Sequence, residues 1–211
     1  MINIINNKQY YDNIKKISKI HNYVKLIYII RNKIKNKNKW KMNIFILSLD
    51  PKKIAEYMMD KHISKIILEA VQMLCSALRV LEPEDEEINK KVYKMAHKNH
   101  PVTIWCRNSR ENFEWTLELI ECMHNEWKWR YGHKEDKKHK AYLMAEYLKE
   151  RIPEESKFPE RGLTEFALAM PVEYKCNDPV KSYRDYYMSP EKQKIASWKK
   201  KRDKPDWYKI Q

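Results

Sequence analysis

The chain has 211 residues, of which 43% are hydrophobic, and carries a formal net charge of +14 at pH 7. A length of this order fits one good hydrophobic core, since domains usually contain about 100–150 residues. Only two glycines occur. This excludes the glycine-rich phosphate loops and dinucleotide-binding turns, which need several. The four cysteines form no CxxC pair, so we expect no disulfides, a reducing compartment and an intracellular protein.

The positive charge is concentrated in a leader, residues 1–41, which has 11 Lys/Arg against one Asp. This segment is of low complexity, rich in Ile, Asn and Lys, and we expect the functional protein to begin at Met42. The alternative is a basic arm for nucleic acid or an anionic membrane. Its apolar run at 24–30 is far shorter than the ~20 residues that span a bilayer, and it has no secretory cleavage site.

After the leader, the pattern predicts mainly helices. Residues 43–49 form a β-branched and aromatic run, which predicts one short strand. Asp50 and Pro51 suit the start of a helix. The apolar spacing then predicts helices over residues 51–59, 62–81, 87–97, 103–130, 136–151 and 164–170, with two more after the Asp-Pro at 178–179 and the Ser-Pro at 189–190. The predicted fold is therefore mainly α, a single-domain helical bundle (42–191) with one short N-terminal strand.

The C-terminal tail, residues 192–211, is basic and aromatic. Between Lys192 and Lys209 it has eight basic residues against two Asp, interleaved with Trp198, Trp207 and Tyr208. Such a composition is typical of a surface that tracks a nucleic-acid strand. An exposed helix whose Trp side chains fold back onto the core has the same composition. Both interpretations stay open.

The predicted helix at 103–130 has a polar stripe on its apolar face. Asn108, Asn112, Glu126 and Arg130 fall within the arc that also contains Trp105 and other core residues. An unpaired buried polar group costs roughly 1–3 kcal/mol, so these side chains need partners. Glu126 and Arg130 are spaced to pair with each other. The two amides could recognise a base edge, or they could cap a neighbouring element.

A second polar arc lies on the predicted helix at 62–81 and just before it. Lys61, Lys65, Glu69 and Gln72 lie within about 80° of one another, with His62 nearby. A lysine beside a carboxylate can serve as a nucleophile or contact phosphate. The alternative is the ordinary solvated side of an amphipathic helix.

Three further side chains are candidates for binding. His100 precedes Pro101, so it could assist at a site or end a helix. His133 follows Gly132, and Arg184 stands in an aromatic and cationic cluster where it could bind phosphate or pair with an acidic face. The spacing of His97 and His100 supports zinc only weakly, because no HExxH or matching cysteine is present. We expect no metal and no cofactor.

Several short motifs stand together over about residues 42–208. They are Asp60-Lys61-His62, His100-Pro101 with Trp105, Asn108 and Asn112, Arg130-Tyr131-Gly132, Ala169-Met170-Pro171, Tyr183-Arg184 with Tyr186-Tyr187, and Pro205-Asp206-Trp207. With these motifs the chain resembles an uncharacterised family of small proteins from tailed phages and large DNA viruses. The resemblance implies a viral protein, in host cytoplasm or viral factory, with a setting in nucleotide or nucleic-acid metabolism.

The leading hypothesis is an intracellular viral enzyme that acts on a nucleotide or DNA, at the base or the N-glycosidic bond. Its catalytic candidates are Glu69, His62, Lys65 and Glu126, and its substrate-binding candidates are Lys61, Gln72, His100, Trp105, Asn108, Asn112, Arg130, His133 and Arg184. The first alternative is a non-catalytic nucleic-acid-binding protein that uses the basic tail. The second is a scaffold whose polar residues are all satisfied internally. We expect no membrane partner, and the oligomeric state stays open.

Overall fold

The computed structural model describes residues 20, 23, 24, 27 and 42–209. The chain divides into two compact units, residues 1–41 and Met42–Gln211. In the first unit the four described residues are helical, and the predictions for the leader otherwise lie outside the described residues. No helix among the described residues is both long enough and apolar enough to span a bilayer.

The second unit is built from helices, as predicted. Two of them have 22 residues and form the centre of the unit, where the end of one, at Arg130, bonds to the start of the other, at Asp60. The described residues after Met42 form α1 (Pro51–Tyr57), α2 (Asp60–Leu81), α3 (Glu86–Lys91), α4 (Pro101–Cys106), α5 (Arg110–Tyr131), α6 (Lys140–Lys149), α7 (Pro179–Tyr187) and α8 (Pro190–Gln193), with 3-10 turns at Glu155–Lys157 and Val172–Tyr174. The prediction of a mainly α, single-domain fold is confirmed.

The core lies between α2 and the helices packed on it, α4, α5 and α6, while α1 packs on α5. The apolar face of α2 is fully buried, including Ile63, Ile67 and Leu74. Burying one such side chain stabilises the fold by about 1.5–3 kcal/mol. The opposite edge of α2 carries Lys61 and Lys65, which remain exposed. This arrangement leaves one polar edge of α2 facing away from the core.

The predicted strand at 43–49 is wrong, because no strand forms among the described residues. The segment runs through the core instead, with Ile44 to Leu47 at most 2% exposed. Phe45 has a φ of 38°, and the Leu47 N–H bonds back to its carbonyl at 2.9 Å. Such a tight bend cannot continue a ladder. The segment's other polar groups bond to side chains rather than to a partner strand.

The predicted helix at 103–130 is interrupted, and the stripe is divided by the break. α4 ends at Cys106 and α5 begins at Arg110. Ser109 is the cause, since its hydroxyl accepts the Asn112 N–H at 3.1 Å and caps the new helix. Asn108 therefore lies in the connection rather than on a helix face.

The predicted helix at 164–170 is also wrong, because this segment has no regular secondary structure. Its main chain is satisfied by side chains from the helices around it. Asn112 Oδ1 accepts the Thr164 N–H at 3.0 Å, and the Tyr183 hydroxyl donates to the Ala167 carbonyl at 2.7 Å. Buried main-chain groups need partners of some kind. Here tertiary partners replace the helical ones.

Candidate active site

The strongest candidate for a reactive group is Glu69, halfway along α2. Glu69 is only 6% exposed. One carboxylate oxygen, Oε2, accepts the Asn43 N–H at 3.1 Å, and the other, Oε1, lies 3.2 Å from Lys65 Nζ. Burial raises the pKa of Glu69, while Lys65, the Asn43 N–H and Lys192 act against that rise. Glu69 is therefore a buried carboxylate with increased proton affinity.

The chain segment before α1 positions this carboxylate. Asn43 is 1% exposed and is fixed from both sides, because its Nδ2 donates to the Ala169 carbonyl at 2.6 Å and its Oδ1 accepts the Ile44 N–H at 2.9 Å. The main-chain N–H of Asn43 is thereby aimed at Glu69. A rigid donor of this kind holds a carboxylate in one orientation.

Cations surround Glu69 on its open side. Lys65 belongs to the same helix, and its side chain is 58% exposed. Lys192, from α8, stands over the rings of Phe45 and Tyr186, with its Nζ 5.0 and 5.2 Å from the ring centroids. Burial lowers the pKa of Lys192, and the charge of Lys65 lowers it further, while the charges of Glu191 and Glu69 act against that change. The site therefore combines one carboxylate with several amines.

His62 lies beside these groups but is packed as a neutral ring. It is 3% exposed and stacks on Phe45 with centroids 4.9 Å apart. Its Nδ1 lies 2.9 Å from the Tyr187 hydroxyl, which accepts the Met59 N–H at 2.8 Å. Burial lowers the pKa of His62 to about 3, with smaller effects from Lys192, Lys65 and Lys61.

The structure places the two amides of the stripe away from Glu69 and pairs both internally. Asn112 is fully buried, and its Nδ2 donates to the Trp105 carbonyl at 2.8 Å and to Thr164 Oγ1 at 2.7 Å. Asn108 donates through Nδ2 to Glu160 Oε1 at 3.2 Å. These bonds attach the connection between α4 and α5 to the segment that contains Glu160 and Thr164. We therefore leave both amides out of the proposed site.

Arg130 and Glu126 form a buried ion pair, with Arg130 Nε 2.6 Å from Glu126 Oε1. Arg130 also donates to the carbonyls of Ala55, Glu56 and Met58, at 3.0, 2.9 and 2.7 Å. These carbonyls belong to the end of α1, where a helix leaves acceptors unsatisfied. Arg130 thus caps α1. About 18 residues of α5 separate it from Asn112, which corresponds to roughly 27 Å along a helix.

Glu126 is equally occupied. Arg202 approaches it through two bonds, Nε to Oε1 at 2.7 Å and Nη2 to Oε2 at 2.8 Å. Burial opposes ionisation of Glu126, but hydrogen bonds from Arg202 and Arg130 outweigh it and lower the pKa. A permanently ionised, fully paired carboxylate is poorly suited to proton transfer.

The remaining predicted binding residues are dispersed. Gln72 is half-buried one turn beyond Glu69. His100 caps α4 by accepting the Val102 N–H at 3.3 Å, and Trp105 Nε1 donates to the Thr164 carbonyl at 3.4 Å. His133 lies on a surface cavity of about 410 Å³ near Trp129. Arg184 donates to the Leu47 carbonyl at 2.9 Å.

The aromatic residues of the tail are attached to the helical unit. Trp198 Nε1 donates to the Tyr57 carbonyl at 3.0 Å, and its ring lies 4.7 Å from that of Tyr208. Several tail lysines, such as Lys199 and Lys204, are exposed. These two rings therefore pack inward, while Lys199 and Lys204 face solvent.

Two residues that complete the environment of Glu69 are not among the predicted ones: Asn43 and Lys192. Asn43 belongs to the segment interpreted as a strand, and Lys192 to the start of the tail. Neither has a local sequence signal, since each reaches Glu69 only through the tertiary fold. Among the described residues, no three His, Cys, Asp or Glu side chains are grouped so as to hold a metal ion.

The buried carboxylate among amines, on a helical unit, is a plausible site for an enzyme that acts on a polyanion such as DNA. Residues 42–139 match the model of a protein family described as pyrimidine dimer DNA glycosylase. The match covers somewhat less than half of the 211 residues and includes α2 with Glu69. No curated protein and no solved structure matches the chain. The family match supports a DNA-directed glycosylase, as the enzyme hypothesis predicted.

Proposed function

We propose that this protein is a DNA glycosylase that cleaves the N-glycosidic bond of a pyrimidine dimer, with Glu69 as its catalytic carboxylate. The observation that carries the proposal is the buried position of Glu69 beside Lys65 and Lys192, within the segment that matches the glycosylase family. The match supplies the substrate class, and the geometry supplies the candidate residue.

The chemistry required fits a carboxylate in this setting. When the bond between C1′ and the base nitrogen breaks, the base leaves with the electron pair and positive charge develops on the sugar. Glu69 can stabilise that charge and accept a proton from the water that attacks C1′. Burial raises the pKa of Glu69, which increases its proton affinity. Lys61 and Lys65, on the exposed edge of α2, would contact DNA phosphates.

His62 takes a supporting part in this proposal. A ring with a pKa of about 3 is neutral at physiological pH and cannot act as a general acid there. Its stacking on Phe45 and its bond with Tyr187 fix the start of α2. We therefore assign His62 to positioning, and Glu126 to the paired network at Arg130.

The test uses the full chain and a duplex that contains one pyrimidine dimer. Glycosidic cleavage leaves an abasic sugar, which alkali converts into a strand break. We expect the wild type to cleave the damaged strand and Glu69→Gln to be slower by roughly 10²–10⁴-fold, the usual contribution of a general base. Duplex binding should persist in the variant.

Glu86→Gln is the matched control. Glu86 also pairs with a lysine on its own helix, with Lys90 Nζ 2.7 Å away, but it is exposed on α3. We expect this variant to cleave like the wild type. If the wild type cleaves no damaged duplex, the proposed function fails. If Glu69→Gln cleaves as fast as the wild type, the function stands but Glu69 is not its catalytic group.

We further propose a viral and intracellular setting, in host cytoplasm or viral factory. The support is the motif resemblance described above, with the closing Pro205-Asp206-Trp207 among its elements. Detection of the protein in infected cells with an antibody, and its absence from uninfected cells, is the expected result.

A further inference from the structure

Lys192 is a half-buried ammonium that lacks a counter-ion in the described part of the chain. Its Nζ lies over the faces of Phe45 and Tyr186, at 5.0 and 5.2 Å from the centroids. No Asp or Glu among the described residues lies within the 4.0 Å that defines an ion pair for it. Two carboxylates act on its charge, Glu191 and Glu69. Glu69 is already occupied by Lys65 and the Asn43 N–H.

A cation in this position is costly unless an anion meets it. Removing an ammonium from water carries a desolvation penalty. Contact with the two rings offsets it only in part, since a cation–π contact contributes about 0.5–2 kcal/mol. Burial accordingly lowers the pKa of Lys192. The charges of Glu191 and Glu69 offset part of this effect, but neither carboxylate forms an ion pair with Lys192 among the described residues.

The local charge is positive overall. Lys61, Lys65 and Lys192 act together on His62, whose pKa they all lower, so the three ammonium groups share one neighbourhood. Against these three ammonium groups stand two carboxylates, Glu69 and Glu191. A region with an excess of positive charge attracts anions, and the anion that a DNA substrate brings is the phosphodiester.

We propose that Lys192 binds a backbone phosphate of the damaged strand next to the nucleotide whose glycosidic bond is cleaved. This inference rests on the proposed function. It adds a substrate-binding residue from α8, which lies outside the segment that matches the glycosylase family. With Lys61 and Lys65 on α2, Lys192 forms a clamp in which the strand passes beside Glu69. The two aromatic rings keep the amine directed into that space.

The first experiment measures DNA binding as a function of salt concentration, by fluorescence anisotropy on a duplex with one pyrimidine dimer. Each phosphate contact contributes about 0.9 to the slope of log K against log salt. We expect Lys192→Met to reduce that slope by about 0.9 and Lys192→Arg to restore it. Lys91→Met is the matched control, because Lys91 Nζ also stands over an aromatic ring, 4.0 Å from the Tyr147 centroid. Its slope should equal that of the wild type.

The second experiment locates the phosphate. Neutral methylphosphonates replace the phosphates around the dimer one at a time, and binding is measured for the wild type and for Lys192→Met. At the contacted phosphate the two changes should not add, because each removes the same interaction. At every other position they should add. Lys192→Gln replaces Lys192→Met if melting shows that the latter is unfolded.

The outcomes distinguish failure of the Lys192 proposal from failure of the proposed glycosylase function. If the wild type cleaves the dimer strand but Lys192→Met keeps the full salt slope and its effect adds to that of every methylphosphonate, only the role of Lys192 is overturned. If the wild type neither binds nor cleaves the duplex, both proposals fall. A reduced slope with one non-additive position supports the inference.

Discussion

Replacement of Arg130 by methionine should destabilise the helical unit by about 3–5 kcal/mol, the usual cost of breaking a buried charge network. The side chain of Arg130 is fully buried and donates to the main chain at the end of α1 and to two carboxylates. Glu126 keeps its two bonds from Arg202, and Asp60 keeps the Lys199 N–H at 2.7 Å. The loss therefore falls mainly on the carbonyls of α1.

The size of this effect follows from the three carbonyls that Arg130 serves, those of Ala55, Glu56 and Met58. The Ala55 carbonyl keeps the Met58 N–H at 3.4 Å, so the loss falls on the Glu56 and Met58 carbonyls. An unsatisfied buried polar group costs about 1–3 kcal/mol, and these two together reach the stated range. Domains of this size have total stabilities of about 5–15 kcal/mol. Arg130→Lys should recover only part of the loss, since an ammonium lacks the fork of donors that reaches several acceptors.

Urea unfolding followed by tryptophan fluorescence is the assay, because Trp127 and Trp129 flank this network on α5. Arg110→Met is the matched control: Arg110 also pairs with a glutamate four residues along α5, at 2.8 Å from Glu114, but on the surface. Its loss should cost less than about 1 kcal/mol. An Arg130→Met variant within 1 kcal/mol of the wild type would refute the capping role.

Two more predictions concern His62, which lies beside Glu69, and Asn112, which belongs to the predicted polar stripe. Because the pKa of His62 is about 3 in the folded protein and near its ordinary value when unfolded, its contribution to stability is complete above pH 6.5 and is lost as the pH falls toward 3. The difference in unfolding free energy between the wild type and His62→Gln should therefore shrink from pH 7 to pH 4.5, and parallel curves would contradict this. Asn112→Ala should cost about 1–3 kcal/mol per polar group left unpaired, while the cleavage rate well below the melting temperature stays unchanged. A slower rate at full stability would instead support base recognition by Asn112.

The sequence was sufficient for the helical class and for part of the candidate site. Apolar spacing identified α2, and the same helical geometry placed Lys61, Lys65 and Glu69 along one edge of it, as the structure has them. Such predictions succeed because they depend on residues three or four apart in one helix. The role of Glu69 in catalysis stays a proposal.

Sequence spacing failed where partners come from distant parts of the chain. The polar stripe predicted at 103–130 faces inward, which is compatible with binding a ligand and with bonds to the protein's own groups. Periodicity indicates the inward direction but not the identity of the partner. In the fold, Arg130 meets the carbonyls at the end of α1, more than 70 residues away in sequence, and Asn112 meets Thr164, 52 residues away. The strand prediction for residues 43–49 is wrong for the same reason. The main chain and side chain of Asn43 bond to Glu69 and Ala169 rather than to a neighbouring strand.

The capping of α1 from the far end of the chain has a consequence for biosynthesis. The Tyr57 carbonyl accepts a hydrogen bond from Trp198, which is 141 residues away in sequence. The Asp60 carboxylate accepts one from the Lys199 main-chain N–H, 139 residues away. A growing polypeptide on the ribosome therefore exposes an incomplete α1 until residues 198 and 199 have been synthesised. Folding of the helical unit is completed only after these residues emerge, and termination before Trp198 leaves a product open to proteolysis.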